Sequence, residues 1–201
     1  MPHDFIFATG NKNKALEIQS LLPDGFRVQT MGEAGLEQEI PEPYDTLEEN
    51  SRTKARTIFA ITGKDCFAED TGLEVAALNG APGVKSARYD GEPPNDARNM
   101  ARLLTNLEAA NNRAARFRTV LTLIRNGEEF QFEGICEGQI VQQPAGTNGF
   151  GYDPVFQPTG STRTFGEMSL EEKNRFSHRK KAVAALVHFL KNTPDATKSS
   201  N

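Results

Sequence analysis

Long apolar runs, a basic surplus and clustered cysteines are all missing from this 201-residue chain. No stretch approaches the ~18 consecutive apolar residues of a membrane-spanning helix. Lys and Arg number 23 against 27 Asp and Glu, a net charge of −4, which argues against a general nucleic-acid coat or a polybasic membrane anchor. A site for a polyanion would therefore need local basic residues or a bound cation. The two cysteines, Cys66 and Cys136, lie far apart in apolar, strand-like contexts, so buried reduced thiols are expected rather than a disulfide. Three histidines without metal-ligand spacing argue against a structural zinc site. Met1-Pro2-His3-Asp4 lacks the basic and apolar regions of a signal peptide, and a cytoplasmic protein is expected. What is present, 37% hydrophobic and 25% charged residues, is ordinary for a soluble protein with one well-buried core in one or two lobes.

Local patterns then order the chain. Phe5–Ala8 reads as a buried strand and Lys12–Leu22 as a helix stopped by Pro23 and Gly25, with Arg27–Thr30 as a second strand. Residues 31–45 read as a loop, and Thr46 to Ile61 as a helix with a Thr46/Glu49 capping box. Asp65–Ala68 reads as a short strand, followed by an acidic turn, Glu69-Asp70-Thr71-Gly72, and a second apolar stretch, Leu73–Leu78. Gly80–Gly83 reads as a loop and Asn95–Ala110 as a helix. Asn126-Gly127 between the apolar runs Phe117–Ile124 and Phe130–Val141 predicts a hairpin with a type I′ turn, and Gly134 suggests a bulge. Residues 144–166 form a long Gly/Pro-rich loop of the kind that carries function. Ser169 with Glu172 opens a final amphipathic helical region, and the tail from Thr193 is polar. Interleaved helices and strands with one embedded hairpin imply α/β or α+β with a mixed sheet, as one domain over residues 1–192 followed by a frayed tail, 193–201.

Four constellations could carry chemistry. Thr9-Gly10-Asn11-Lys12-Asn13-Lys14 joins a strand to a helix, which aims backbone N–H groups and the helix dipole at one spot suited to phosphate. It is not a Walker loop, because the required glycine–lysine spacing is absent. Glu69 and Asp70, with Glu42, Glu48 and Glu49 as further oxygen donors, suit Mg²⁺. Lys54 could reach phosphate, or pair with Asn50 and solvent. In Gly149-Phe150-Gly151-Tyr152-Asp153-Pro154 the glycines admit a ligand to the backbone, Phe150 or Tyr152 could stack on a base, and Asp153 could accept from a ring N–H. Lys173 with Ser177-His178-Arg179 supplies donors for phosphate or a carbonyl oxygen. Read singly, each has a bland alternative in an ordinary turn or a solvated face. Together they are the parts of a nucleoside triphosphate site.

In order, these segments resemble the inosine triphosphate pyrophosphatase family, also called Ham1 or RdgB. The matching blocks are Ala8–Asn11 with Lys14, Thr46–Asn50 with Lys54, Ala68–Leu73, Gly80–Val84 through Ser86–Tyr89, Gly149–Pro154, and Ser177–Arg179. The resemblance implies an elongated α/β fold, a mixed twisted sheet flanked by helices, in two lobes with a cleft between them, and a homodimer. It implies Mg²⁺-dependent hydrolysis of ITP, dITP and XTP to the monophosphate and pyrophosphate. By the same resemblance Thr9, Asn11, Lys14 and Lys54 would hold phosphates, and Glu42 and Asp70 the metal. Asp70, with Glu69 beside it, would take the proton from the attacking water. Thr71 would touch the nucleotide, Phe150 would stack on the base, and Asp153 would read its N–H edge. Lys173, His178 and Arg179 would lie near the purine six-position. Two departures stand out: many members carry paired aspartates where this chain has Glu69-Asp70, and Glu42 sits between Pro41 and Pro43. The rivals are a Maf-type pyrophosphatase acting on modified nucleotides, which the Ser-His-Arg block disfavours, a nucleotide-binding module without turnover, and an RNA-binding module, which the acidic balance disfavours.

Overall fold

A computed structural model describes residues 3–36 and 39–193. Twelve regular elements follow in chain order: β1 (His3–Phe7), α1 (Lys12–Leu21), β2 (Phe26–Thr30), α2 (Leu47–Thr62), β3 (Cys66–Val75), β4 (Pro82–Gly83), α3 (Asp96–Asn106), β5 (Ala114–Arg125), β6 (Glu128–Ile140), β7 (Phe156–Pro158), α4 (Leu170–Lys173) and α5 (His178–Asn192). One mixed sheet runs β2-β1-β3-β5-β6-β7, with β4 added to β3. β1 is parallel to both β2 and β3, and the remaining pairs are antiparallel. The expected mixed α/β fold is present, and the tail beyond residue 193 lies outside the described residues.

Local chemistry explains the element ends. Asn11 caps α1 by accepting from the Asn13 and Lys14 N–H groups, and Thr46 caps α2 by accepting from Glu49. Ser169 and Glu172 form the reciprocal capping box that opens α4. The hairpin between β5 and β6 turns at Asn126-Gly127, where both residues have positive φ, 53° and 81°, as a type I′ turn requires.

Two expectations are corrected. Glu69-Asp70-Thr71-Gly72 is not a turn, because β3 runs unbroken through it and pairs with β5 from Cys66 to Val75. Gly72 serves a different need: a Cβ there would lie 2.7 Å from the Gly83 carbonyl oxygen, so it admits the backbone of β4. Gly134 likewise is no bulge, since it pairs in register with Thr119. A Cβ on it would overlap the His178 carbonyl, so it lets the start of α5 press onto the sheet.

Alternation along the strands builds three cores. On one face, Phe7, Phe67, Leu121 and Leu123 pack under Ile18 of α1 and Ala182, Val183 and Leu186 of α5. Further along the same ribbon, Leu73, Val75, Phe117 and Cys136 pack with Leu103 and Leu107 of α3 and with Phe156 and Phe165. On the opposite face, Ile6, Cys66, Ala68 and Ile124 meet Ala55 and Ile58 of α2. Between the two cores that share a face, Glu69 and Thr71 occupy the inward positions of β3. Fully burying one large apolar side chain contributes about 1.5–3 kcal/mol, so a polar break in such a face needs its own partners. Both cysteines are buried and free. Burial pushes the Cys66 thiol up to about 12 and the Cys136 thiol up to about 11.

Candidate active site

The polar break opens into two joined cavities. β1 pairs with β3 only at Cys66 and Phe67, and β4 only at Leu73 and Glu74. The stretch of β3 between them faces space on that side. One cavity, about 120 Å³, is lined by Phe117, Phe150, Tyr152, Asp153, Lys173, His178 and Arg179, with Leu73, Ser86, Asp96 and Asn99. The other, about 810 Å³, is lined by Thr9, Gly10, Glu39, Glu42, Lys54, Glu69, Asp70, Arg88 and Glu92, among others. Asn11, Lys14, Thr71 and Ala87 line both.

The smaller cavity rests on a buried charge belt. Arg179 donates through Nε and Nη2 to the two Glu69 oxygens, both at 2.8 Å, and through Nη1 to Glu17. Lys173 Nζ donates to Glu17 at 2.7 Å and to Asp153 at 2.6 Å, and Lys14 reaches Glu69 at 3.2 Å. Three carboxylates thus face three cations, the arrangement that makes buried charge tolerable. Burial would raise the Glu69 carboxyl, but Arg179 and Lys14 outweigh it and hold it well below the usual carboxylate range. For Asp153 burial prevails over Lys173 and pushes the carboxyl up. Three of the five Arg179 N–H donors and two of the three on Lys173 are engaged in this belt, which leaves donors for a ligand. The Phe150 ring lies under these cations, 5.1 Å from Lys173 Nζ and 5.8 Å from the Arg179 guanidinium. His178 is buried and stacked on Phe117 at 4.7 Å, and its Nδ1 has no hydrogen-bond partner among the described residues. Burial, with Arg179 and Lys173 beside it, holds His178 well below its ordinary value.

The larger cavity is polar and less tied. Lys54 on α2 sits between two carboxylates, 2.5 Å from Glu42 and 3.3 Å from Asp70 Oδ1. Asn50, one of the two alternative partners the sequence offers Lys54, instead holds both backbone groups of Tyr44. Asp70 Oδ2 is buried without a hydrogen-bond partner among the described residues. Burial raises the Asp70 carboxyl above its ordinary value, with Lys54 opposing and Glu42 adding. Burial also opposes ionisation of Glu42, but Lys54 prevails and holds that carboxyl low. Strand alternation sends Glu69 toward α1 and α5 and Asp70 toward α2, so the neighbouring carboxylates have different partners.

The expected residues mostly converge. Thr9, Gly10, Asn11, Lys14, Glu42, Lys54, Glu69, Asp70, Thr71, Phe150, Gly151, Tyr152, Asp153, Lys173, His178 and Arg179 all line one cavity or both. Lys12 and Asn13 are exposed and line neither. Tyr152 is a wall rather than a free stacking ring: it is buried in the core, and its hydroxyl donates to the Ser86 carbonyl at 2.8 Å. Glu48 serves elsewhere, paired with Arg118. The sequence patterns do not single out Glu17. It is buried on α1 one turn after Lys14 and holds both Lys173 and Arg179, and a carboxylate beside Ile18 on the apolar side of that helix was the available signal.

Comparison with known proteins places the chain in a family. The model described as "Ham1 family" matches residues 5–189. A dITP/XTP pyrophosphatase of Flavobacterium psychrophilum is 51% identical over 187 residues, 93% of this chain and 98% of that protein. One of Flavobacterium johnsoniae is 49% identical over 185 residues, 92% and 96%. The solved structure of a HAM1 protein from Coxiella burnetii superposes with a TM-score of 0.86 at 38% identity, covering 96% of this chain and 100% of that one.

Proposed function

The chain belongs to the Ham1 family, and from that premise we propose that it is a nucleoside-triphosphate pyrophosphatase that hydrolyses the non-standard purine nucleotides ITP, dITP and XTP. The observation that carries this reading is the continuity of the two cavities through Asn11, Lys14, Thr71 and Ala87. An aromatic, donor-lined compartment suits a purine, and the adjoining compartment of cations and carboxylates suits the phosphates.

Phe150 would stack on the base, and the donors of Lys173, His178 and Arg179 would serve a six-position oxygen. Adenine carries an amino group there, and a buried donor left facing it costs enough to discriminate by orders of magnitude. Asp153 would accept from the ring N–H edge, although one of its oxygens already takes the Phe150 N–H at 2.9 Å. Guanine shares the six-oxygen, so its rejection would rest on its two-amino group. Thr9, Asn11, Lys14 and Lys54 would hold the phosphates, and Thr71 the nucleotide where the cavities meet.

The oxygens present fit Mg²⁺. Asp70 Oδ2 is an orphan acceptor, Glu42 is close by through Lys54, and no cluster of three ligating side chains occurs among the described residues. Two carboxylates completed by substrate phosphates are typical of this ion. Bound there, Mg²⁺ would neutralise phosphate charge and lower the pKa of water. Asp70, its basicity raised by burial, would take the proton as water cleaves the anhydride bond between the α- and β-phosphates. Glu69 would act by fixing Arg179 and Lys14. No helix among the described residues is long and apolar enough to cross a membrane. From the family resemblance alone we also propose a homodimer acting in the cytoplasm.

Pyrophosphate release from ITP, XTP, GTP, ATP, CTP and UTP, with Mg²⁺ and with chelator, tests the reading. Mg²⁺-dependent turnover of ITP and XTP alone is expected. No turnover of any of them would overturn it and favour a binding role.

A further inference from the structure

Among the described residues three cations line the larger cavity, and they are not equally committed. The Lys54 side chain is 8% exposed and held by two carboxylates, and that of Lys14 is 20% exposed and held by buried Glu69. The third, Arg88, is 44% exposed, and its contacts are long: 3.3 Å to Glu42 Oε2 and 3.4 Å to Glu92. Charge-assisted hydrogen bonds of full strength run at about 2.7–2.9 Å. Lys14 to Glu69 and Lys54 to Asp70 are nearly as long, but both lysines are mostly buried, so Arg88, the most exposed of the three and without one short contact, is the cation freest to exchange its partners.

Its backbone is the reverse. Ser86 Oγ accepts from the Leu73 N–H at 2.8 Å and donates to the Gly83 carbonyl, and the Ser86 carbonyl takes the Tyr152 hydroxyl. The Ala87 carbonyl takes the Asn99 amide at 2.8 Å, and the Arg88 N–H bonds to Lys85. A loosely held guanidinium on a pinned backbone is preorganised to meet an incoming anion at little cost in ordering. Position tells which anion. Arg88 lines the polar cavity and not the aromatic one, whereas Ala87, one residue earlier, lines both. A nucleotide with its base beside Phe150 would pass the junction at its sugar end and carry its outer phosphates toward Arg88.

We propose that Arg88 is a binding residue for the pyrophosphate portion of the substrate, leaving Glu42 and Glu92 to pair with the β- and γ-phosphate oxygens. Release from Arg88 also frees Glu42 Oε2 as an oxygen donor when the phosphates arrive. This inference rests on the triphosphate reading of the site.

The test is binding of inorganic pyrophosphate, IMP and ITP to the wild type, R88Q and R88K, by calorimetry with Mg²⁺ and again with chelator. R88Q should weaken pyrophosphate and ITP by about tenfold, the scale of one charged hydrogen-bonded contact. IMP binding should stay within about twofold, and R88K should recover part of the loss as a point charge without the planar fork. The loss should persist with chelator. Unchanged pyrophosphate affinity in R88Q, or an equal loss for IMP, would overturn the proposal. So would a loss seen only with Mg²⁺, because Arg88 would then act merely by holding Glu42. A wild type that binds neither ITP nor pyrophosphate would instead defeat the triphosphate reading itself.

Discussion

The two halves of the site are built on opposite plans. Beside the aromatic cavity Glu17, Glu69, Asp153, Lys14, Lys173 and Arg179 form a closed belt of ion pairs, most of them almost inaccessible to solvent, with Glu69 at its border on the polar cavity. Around the polar cavity Asp70 keeps an unpartnered buried oxygen, Glu42 is shared by two cations, and Arg88 is half exposed. A finished belt fixes donors in one geometry before the ligand arrives, which is what base discrimination needs. An unfinished compartment would leave charges unbalanced until phosphate and a cation enter. On the proposed function, recognition would be set in folding, while the chemistry would be assembled with the substrate.

The sharpest way to break this contrast is to change each side's central carboxylate. Asp70→Asn should reduce ITP turnover at least a hundredfold, the contribution of a positioned general base, while ITP affinity in a binding assay holds within a few-fold. Turnover near the wild-type level would remove Asp70 from the chemistry. Glu69→Ala should act on the fold instead. It strips Arg179 and Lys14 of a buried partner, and breaking such a pair costs about 3–5 kcal/mol. Urea unfolding measures it. The pH profile carries the same signature: with its carboxyl held below the ordinary 4.5, Glu69 contributes stability that is complete above that value and is lost as pH falls through the lower native one. The wild type and Glu69→Ala should therefore converge in stability on acidification. A constant gap would mean the carboxylate matters for packing rather than charge.

Much of this is legible in the sequence, and the rest is not, for identifiable physical reasons. Caps and turns are local, so Thr46, Ser169 with Glu172, and Asn126-Gly127 announce themselves. Glycines are ambiguous, because the same residue serves a turn or a close approach. Gly72 and Gly134 looked like a turn and a bulge, yet each makes room for another backbone, which only tertiary structure reveals. Motif residues such as Lys54 and Arg179 were legible as candidates, but their partners were not. Glu42 and Lys54 are twelve residues apart, and Arg179 reaches Glu17 across 162 residues. Arg88 was visible within Ser86-Ala87-Arg88-Tyr89, but its looseness, the property that matters, is a fact of packing.

Smaller effects sharpen the comparison further. Glu42→Gln should cost no more than about 1 kcal/mol in unfolding free energy, because Glu42 is partly exposed and Lys54 keeps Asp70 as a partner. Its effect should appear as a higher Mg²⁺ concentration for half-maximal turnover, read from a titration at fixed ITP. A stability loss as large as that of Glu69→Ala would show that the polar compartment is as finished as the belt.

The smallest effect is also the most diagnostic, because its sign is unusual. Burial raises the Asp70 carboxyl above the ordinary 3.8, with Lys54 offsetting only part of that cost and Glu42 adding to it. A carboxyl raised in the native state handicaps the fold while ionised. The handicap is complete above the native value and vanishes as pH falls below the unfolded one. Asp70→Asn removes that charge, so thermal unfolding at neutral pH should occur at a temperature equal to or slightly above that of the wild type. The difference should close as pH falls toward 3.8. A base that is inactive when neutralised yet more stable would be the expected mark of strain kept for catalysis. If Asp70→Asn instead melts lower at neutral pH, the Lys54 pair contributes more than burial costs, and the polar compartment is balanced before any phosphate arrives.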